Sequence, residues 1–114
     1  MILLQKSIME RFNTLIDSEK PLLIGFSAQW CGPCKITIPI LKKLEKRLED
    51  KITIIELDID FPPNRNIIHR YRISSVPTFL LFQKGSAKWR FSGIATEKEL
   101  ETAIFLHKSE AKRS

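Results

Sequence analysis

Cys31 and Cys34 stand in the stretch AQWCGPCK and are the only two cysteines among 114 residues. Spaced as C-x-x-C, they could ligate a metal, staple a loop or trade electrons with another protein. A closed zinc site asks for four ligands. The only histidines are His69 and His107, both read as surface residues of helices, and there is no second C-x-x-C or H-x-x-x-H, so no metal is expected. A bond across two intervening residues closes too small a loop to add much stability. Redox exchange remains, and it needs a thiolate with a second thiol in reach.

Placement decides whether the pair can do this. LLIGFSA is a short continuous apolar run, the pattern of a strand buried on both faces. KITIPILKKLEKRLED reads as a helix over 35–50, with Ile36, Ile40, Leu41, Leu44 and Leu48 facing inward and Pro39 kinking it. Cys31 then lies where a strand ends and a helix begins. There, unpaired N–H groups and the positive end of the helix dipole favour a thiolate. Cys34 lies about one turn deeper. The expected division of labour is attack by an exposed Cys31 and resolution by Cys34. Gly32 permits close approach, Pro33 suits the first helical turn, and Lys35 adds a nearby positive charge.

The remaining elements follow from pattern. Residues 2–5 read as an edge strand, and SIMERFNTLIDSEK as a helix capped by Ser7 and ended by Pro21. KITIIELDI reads as a second buried strand, and FPPNRNIIHRY as a short helix with Ile67, Ile68 and Tyr71 inward. VPTFLLF and AKWRFSG flank QKGS as an antiparallel hairpin with Gly85 at positive φ. Trp89 packs on a helix, and Phe79 and Phe82 enter the core. TEKELETAIFLHK is a helix with a Thr96–Glu99 capping box, and His107 sits in its last turn. The order β-α-β-α-β-α-β-β-α predicts an α/β fold, a mixed sheet with helices on both faces, as one domain over 1–114.

Composition is that of an ordinary globular domain, 43% hydrophobic and 28% charged, with no apolar run long enough to span a bilayer. MILLQKSIMERF lacks a leader pattern, so a cytoplasmic chain off the membrane is expected; a monomer is expected as well. The net charge of +6 raises nucleic acid as a partner. The basic residues are scattered, however, and in LKKLEKRLEDK alternate with acids as on a solvated helix face. No nucleic-acid motif accompanies them, so no nucleic acid is expected.

WCGPCK resembles the active-site signature of the thioredoxin family. The likeness extends through PLLIGFSAQWCGPCKITIPILKKLEKRLEDKITIIELDID, including Pro39, and through VPTFLLFQKG. It implies a thioredoxin-like three-layer α/β/α sandwich and a protein-disulfide reductase. Such a protein needs no cofactor of its own and is recharged by a flavin-containing thioredoxin reductase drawing on NADPH. Pro77 resembles the family's cis-proline and Gly93 its groove glycine. Trp30, Val76, Pro77, Gly93 and Ile94 would form an apolar groove around Cys31. The Val76 backbone would pair with an extended segment of a disulfide-containing protein substrate. The rival of another class is a binding module that uses the fold as a scaffold; a pair of exposed thiols counts against it.

Three positions depart from the family pattern. Gly25 stands where thioredoxins commonly bury an aspartate, Glu56 where they usually carry a lysine, and Ser27 where an aromatic is usual. Strand alternation puts Ile52, Ile54 and Glu56 on one face. Glu56 is therefore expected partly buried beside the space Gly25 leaves, where it would supply the missing carboxylate as a general base for Cys34. The competing expectation is that Glu56 reaches solvent or a lysine and relays nothing. Ser27 is expected to thin the packing beside Cys31.

Overall fold

The computed structural model describes residues 12–113. The strand expected at 2–5 and the cap expected at Ser7 lie outside the described residues. Residues 12–17 are helical (α1), followed by β1 (Leu22–Ser27), α2 (Gly32–Leu48), β2 (Thr53–Asp58), α3 (Arg65–Arg70), β3 (Thr78–Gln83), β4 (Ser86–Ser92) and α4 (Glu97–Arg113). The sheet order is β2-β1-β3-β4. β1 runs parallel to β2 and antiparallel to β3, and β3 and β4 form the hairpin.

Alternation along the strands sorts their side chains to two faces. Leu22, Ile24, Phe26, Ile55, Leu57, Leu80 and Phe82 meet Phe12 and Ile16 of α1 and Ile67 of α3. Leu23, Ile54, Phe79 and Leu81 meet Leu41, Leu44 and Leu48 of α2 and Leu100 and Ile104 of α4. Two helices thus cover each face, the three-layer α/β/α arrangement expected. β1 is buried at all six positions because it is central and covered twice. Phe79 and Phe82 are both fully buried but on opposite faces. Tyr71 packs edge-on against Phe82, 5.0 Å between centroids. Trp89 stacks on Phe91 over the α2/α4 face.

Local chemistry fixes the ends of these elements. Lys84 and Gly85 both have positive φ, 52° and 87°, between the paired Gln83 and Ser86, so the hairpin closes in a two-residue turn of the type that matches strand twist. At α4, Glu99 N–H donates to Thr96 Oγ1 (3.1 Å) and Thr96 N–H to Glu99 Oε1 (3.0 Å), the reciprocal capping box. These bonds hold the Glu99 carboxyl below its ordinary range. The Arg47 guanidinium on α2 donates to Glu97 and Glu101 on α4, tying the two helices on that face.

Three expectations need correction. α2 starts at Gly32 rather than 35 and gives way to a 3₁₀ turn over Glu49–Lys51. Cys31 is its cap, and Pro33 sits in the first turn, where no N–H is needed. Its buried stripe is Cys34, Thr37, Leu41, Leu44 and Leu48, which leaves Ile36 54% exposed and Ile40 half-buried. Cys34 and polar Thr37, not the isoleucines, carry the first turns of the 3-4-3-4 spacing. α4 runs on to Arg113, so His107 is inside the helix and not in its last turn. Nothing in KSEAKR breaks a helix.

Candidate functional site

The chain leaves β1 at Ser27 and turns so that Cys31 N–H donates to Ala28 C=O (3.1 Å). Cys31 has extended backbone angles, φ −88° and ψ 108°, and caps α2 through its sulfur, which accepts the Cys34 N–H at 3.2 Å. Thr37 Oγ1–H donates to the Cys34 carbonyl (2.9 Å). The two sulfurs are joined as a disulfide, with the Cα atoms 5.3 Å apart. Ala28, Cys31 and Cys34 form a small buried cluster against Ile59 and Val76. Cys31 keeps only 4% of its surface, against 1% for Cys34, so in this form it is not the exposed residue expected. Ile59 and Val76 cover what the sequence leaves open.

Of the expected groove residues, Val76 packs against the cysteine cluster. Val76–Pro77 is cis. Gly93, with φ 114°, donates its N–H to the Pro77 carbonyl at 2.8 Å. Thr78 Oγ1 lies 2.8 Å from Ser75 O, to which it donates, and 3.0 Å from Ser92 Oγ. These bonds tie the cis-proline segment to the end of β4. Val76 is half-buried, Pro77 buried, and Ile94 46% exposed. Trp30 is 69% exposed. Its indole Nε1–H donates to Asp60 Oδ2 at 2.8 Å. Lys35 is exposed on the first turn of α2, and a Cβ at Gly32 would meet no atom within 4 Å. Among the described residues no three His, Cys, Asp or Glu side chains gather as a metal site would require.

Asp60 was missed by sequence reasoning. Its only signal is the run of aspartates leaving β2, where Asp58 Oδ1 accepts the Asp60 N–H (2.8 Å) and shapes the turn.

Gly25 pairs directly with Glu56 across β1 and β2. The space expected beside Gly25 is already filled: a Cβ there would stand 2.9 Å from Leu41 Cδ1 and 3.5 Å from Phe79 Cε1. Glu56 is half-buried. Burial pushes its carboxyl above the ordinary range, while a hydrogen bond with Ser27 and the Lys42 charge oppose the rise and Asp58 adds to it. Ser27 is thus more than a gap in the packing, because its hydroxyl serves the half-buried Glu56 carboxyl.

A C-x-x-C at a helix N-terminus, facing a cis-proline on a mixed sheet covered by helices on both sides, defines the thioredoxin-fold class of dithiol–disulfide proteins. The comparisons narrow this further. The Thioredoxin family model matches residues 4–105, and the chain belongs to the thioredoxin family. It is 41% identical over 88 residues to thioredoxin Y1, chloroplastic, of Arabidopsis thaliana, covering 77% of this chain and 50% of that protein. It is 36% identical over 88 residues to the thioredoxin of Rickettsia typhi, covering 77% and 82%. The crystal structure of Malassezia sympodialis thioredoxin superposes with a TM-score of 0.76 at 29% identity, over 87% of this chain and 84% of that one. The chain spans about half the length of the plant relatives it matches.

Proposed function

We propose that the chain is a protein-disulfide reductase working through Cys31 and Cys34. The observation that carries this reading is the joined sulfur pair capping α2 beside the cis Val76–Pro77 bond. In the reduced protein the Cys31 thiolate, held by the α2 N-terminus and the Cys34 N–H, attacks one sulfur of a partner's disulfide. The partner's other sulfur leaves as a thiolate. Cys34, deprotonated, then attacks Cys31 Sγ, forms the intramolecular disulfide and releases the partner's second thiolate. Two electrons pass to the partner, and NADPH returns them through a flavin-containing thioredoxin reductase. Trp30, Val76, Pro77, Gly93 and Ile94 bind the partner, with the Val76 backbone offering strand-like pairing. Gly32, Pro33 and Lys35 shape the first turn of α2. The reading places the chain as a monomer in a reducing, cytoplasmic setting, which the Gly32–Pro33 dipeptide favours because it resembles that of the reducing family members.

We also infer that Glu56 takes the Cys34 proton. Its support is the register opposite Gly25, the Ser27 hydrogen bond and the raised proton affinity. The direct test of the main reading is stoichiometric. Reduced protein is mixed with a disulfide-bonded protein, quenched by alkylation and weighed by mass spectrometry. Two new partner thiols are expected for each Cys31–Cys34 disulfide formed. A dithiol left intact beside an intact substrate disulfide supports the scaffold reading instead.

A further inference from the structure

The charge of this chain is segregated. Residues 61–96 contain no aspartate or glutamate but six basic residues, Arg65, Arg70, Arg72, Lys84, Lys88 and Arg90. The other thirteen basic residues are matched by the thirteen acidic ones, so this stretch alone accounts for the net charge of +6. The scatter expected of the basic residues, Lys84, Lys88 and Arg90 among them, does not describe this stretch.

Folding gathers part of this charge around α3 and its end. Arg65 and Arg70 begin and end α3, Arg72 follows with φ 51°, and all three are exposed. From the edge strand β4, the exposed Arg90 donates Nη1 to the Tyr71 carbonyl and Nη2 to the Arg72 carbonyl, the latter at 2.8 Å. That clamp sets a fourth guanidinium against the end of α3. Four residues after Arg72 comes Val76, packed on the cysteine cluster. An extended chain puts the two Cα atoms no more than about 14 Å apart. The ion pairs of Arg47 and Lys43 with Glu97 and Glu101 lie between α2 and α4 on the other face of the sheet. Asp60, the acid beside Trp30, has its carboxylate engaged by the indole.

We propose that Arg65, Arg70, Arg72 and Arg90 form a docking face for protein partners whose disulfide is flanked by carboxylates. This rests on the reductase reading and adds to it a partner chemistry. The apolar rim fits the segment bearing the disulfide, and the arginine face meets the acidic surface around it. Guanidinium groups suit this because they pair with carboxylates through two parallel N–H donors. Such a face acts chiefly on encounter: it raises the association rate at low ionic strength and loses that advantage as salt screens it.

The test uses two synthetic peptides with one disulfide-bonded core, flanked by aspartates in one and lysines in the other. Reduction rates by the intact protein are compared at about 20 mM and about 200 mM salt, which brackets strong and weak screening. A neutral small disulfide, 2-hydroxyethyl disulfide, serves as control. The acidic peptide is expected to react about tenfold faster than the basic one at low salt, with the gap shrinking at high salt. In the double variant Arg70→Glu, Arg72→Glu the preference is expected to vanish or invert, while the control rate stays at the wild-type value. Equal peptide rates in the wild type, or a preference indifferent to salt or unchanged in the double variant, overturn the proposal. Binding of a single-stranded or duplex oligonucleotide at about 150 mM salt without peptide discrimination assigns the face to nucleic acid and also overturns it. Failure to reduce even the neutral disulfide is a different result, because it removes the reductase reading itself.

Discussion

With Cys34 replaced by serine, the protein is expected to become a covalent trap. Cys31 still caps α2 and keeps the backbone N–H of residue 34, so its attack on a partner disulfide proceeds. The mixed disulfide then has no neighbour to resolve it. In the wild type the two Cα atoms are 5.3 Å apart, so resolution is intramolecular and profits from a very high effective concentration. Its loss is expected to slow partner release by about a thousandfold or more. Adducts should appear on non-reducing gels of Cys34→Ser with a disulfide-bonded protein, and disappear on adding a thiol. Cys31→Ser should give neither adduct nor turnover. Trapping by Cys31→Ser but not by Cys34→Ser would mean that Cys34 attacks first, and equal trapping that either cysteine can, both contrary to the deeper burial of Cys34 and its place inside the helix.

Glu56→Gln is expected to separate stability from activity. The folded-state pKa of Glu56 is raised, chiefly by burial. A carboxyl of this kind favours the fold below its unfolded-state pKa, and that contribution is lost as pH rises through the higher folded value. At neutral pH the ionised Glu56 is therefore a cost. Glutamine keeps the shape and can still accept from Ser27, so the variant should melt no lower than wild type at pH 7. Mixed-disulfide resolution should instead slow by about tenfold or more near pH 7, where Cys34 depends on a base, and approach the wild-type rate above about pH 9, where a thiol ionises unaided. Stopped-flow measurement of resolution against pH reads this directly. A uniform change at every pH, or an unchanged profile, removes Glu56 from proton transfer.

Much of this architecture is legible along the chain because it depends on neighbours in sequence. The Thr96–Glu99 capping box spans three residues, the Lys84–Gly85 turn two, and the apolar run of β1 declares a central strand by itself. The C-x-x-C at the strand-to-helix junction is local too, which is why the site could be placed before the fold was known. What escaped is set by contacts across the chain. Leu41 and Phe79 fill the place beside Gly25 from another helix and another strand. Asp60 reaches Trp30 across thirty positions. Arg90 reaches the end of α3 from an edge strand whose own pattern gives no hint of a carbonyl partner. Burial of Cys31 under Ile59 and Val76 is of the same kind. The Glu56 register lies between these cases. Alternation gives its face, but only strand pairing shows that it stands opposite Gly25.

On the proposed function, electrons flow through Cys31 and Cys34 to a protein disulfide, turnover after turnover. Its most direct test is NADPH oxidation in a mixture of this protein, a thioredoxin reductase and a disulfide-bonded substrate protein. Sustained oxidation that matches the substrate thiols produced, and that stops in Cys31→Ser, is the predicted result. A reductase that reduces the Cys31–Cys34 disulfide while the substrate disulfide stays intact would contradict it.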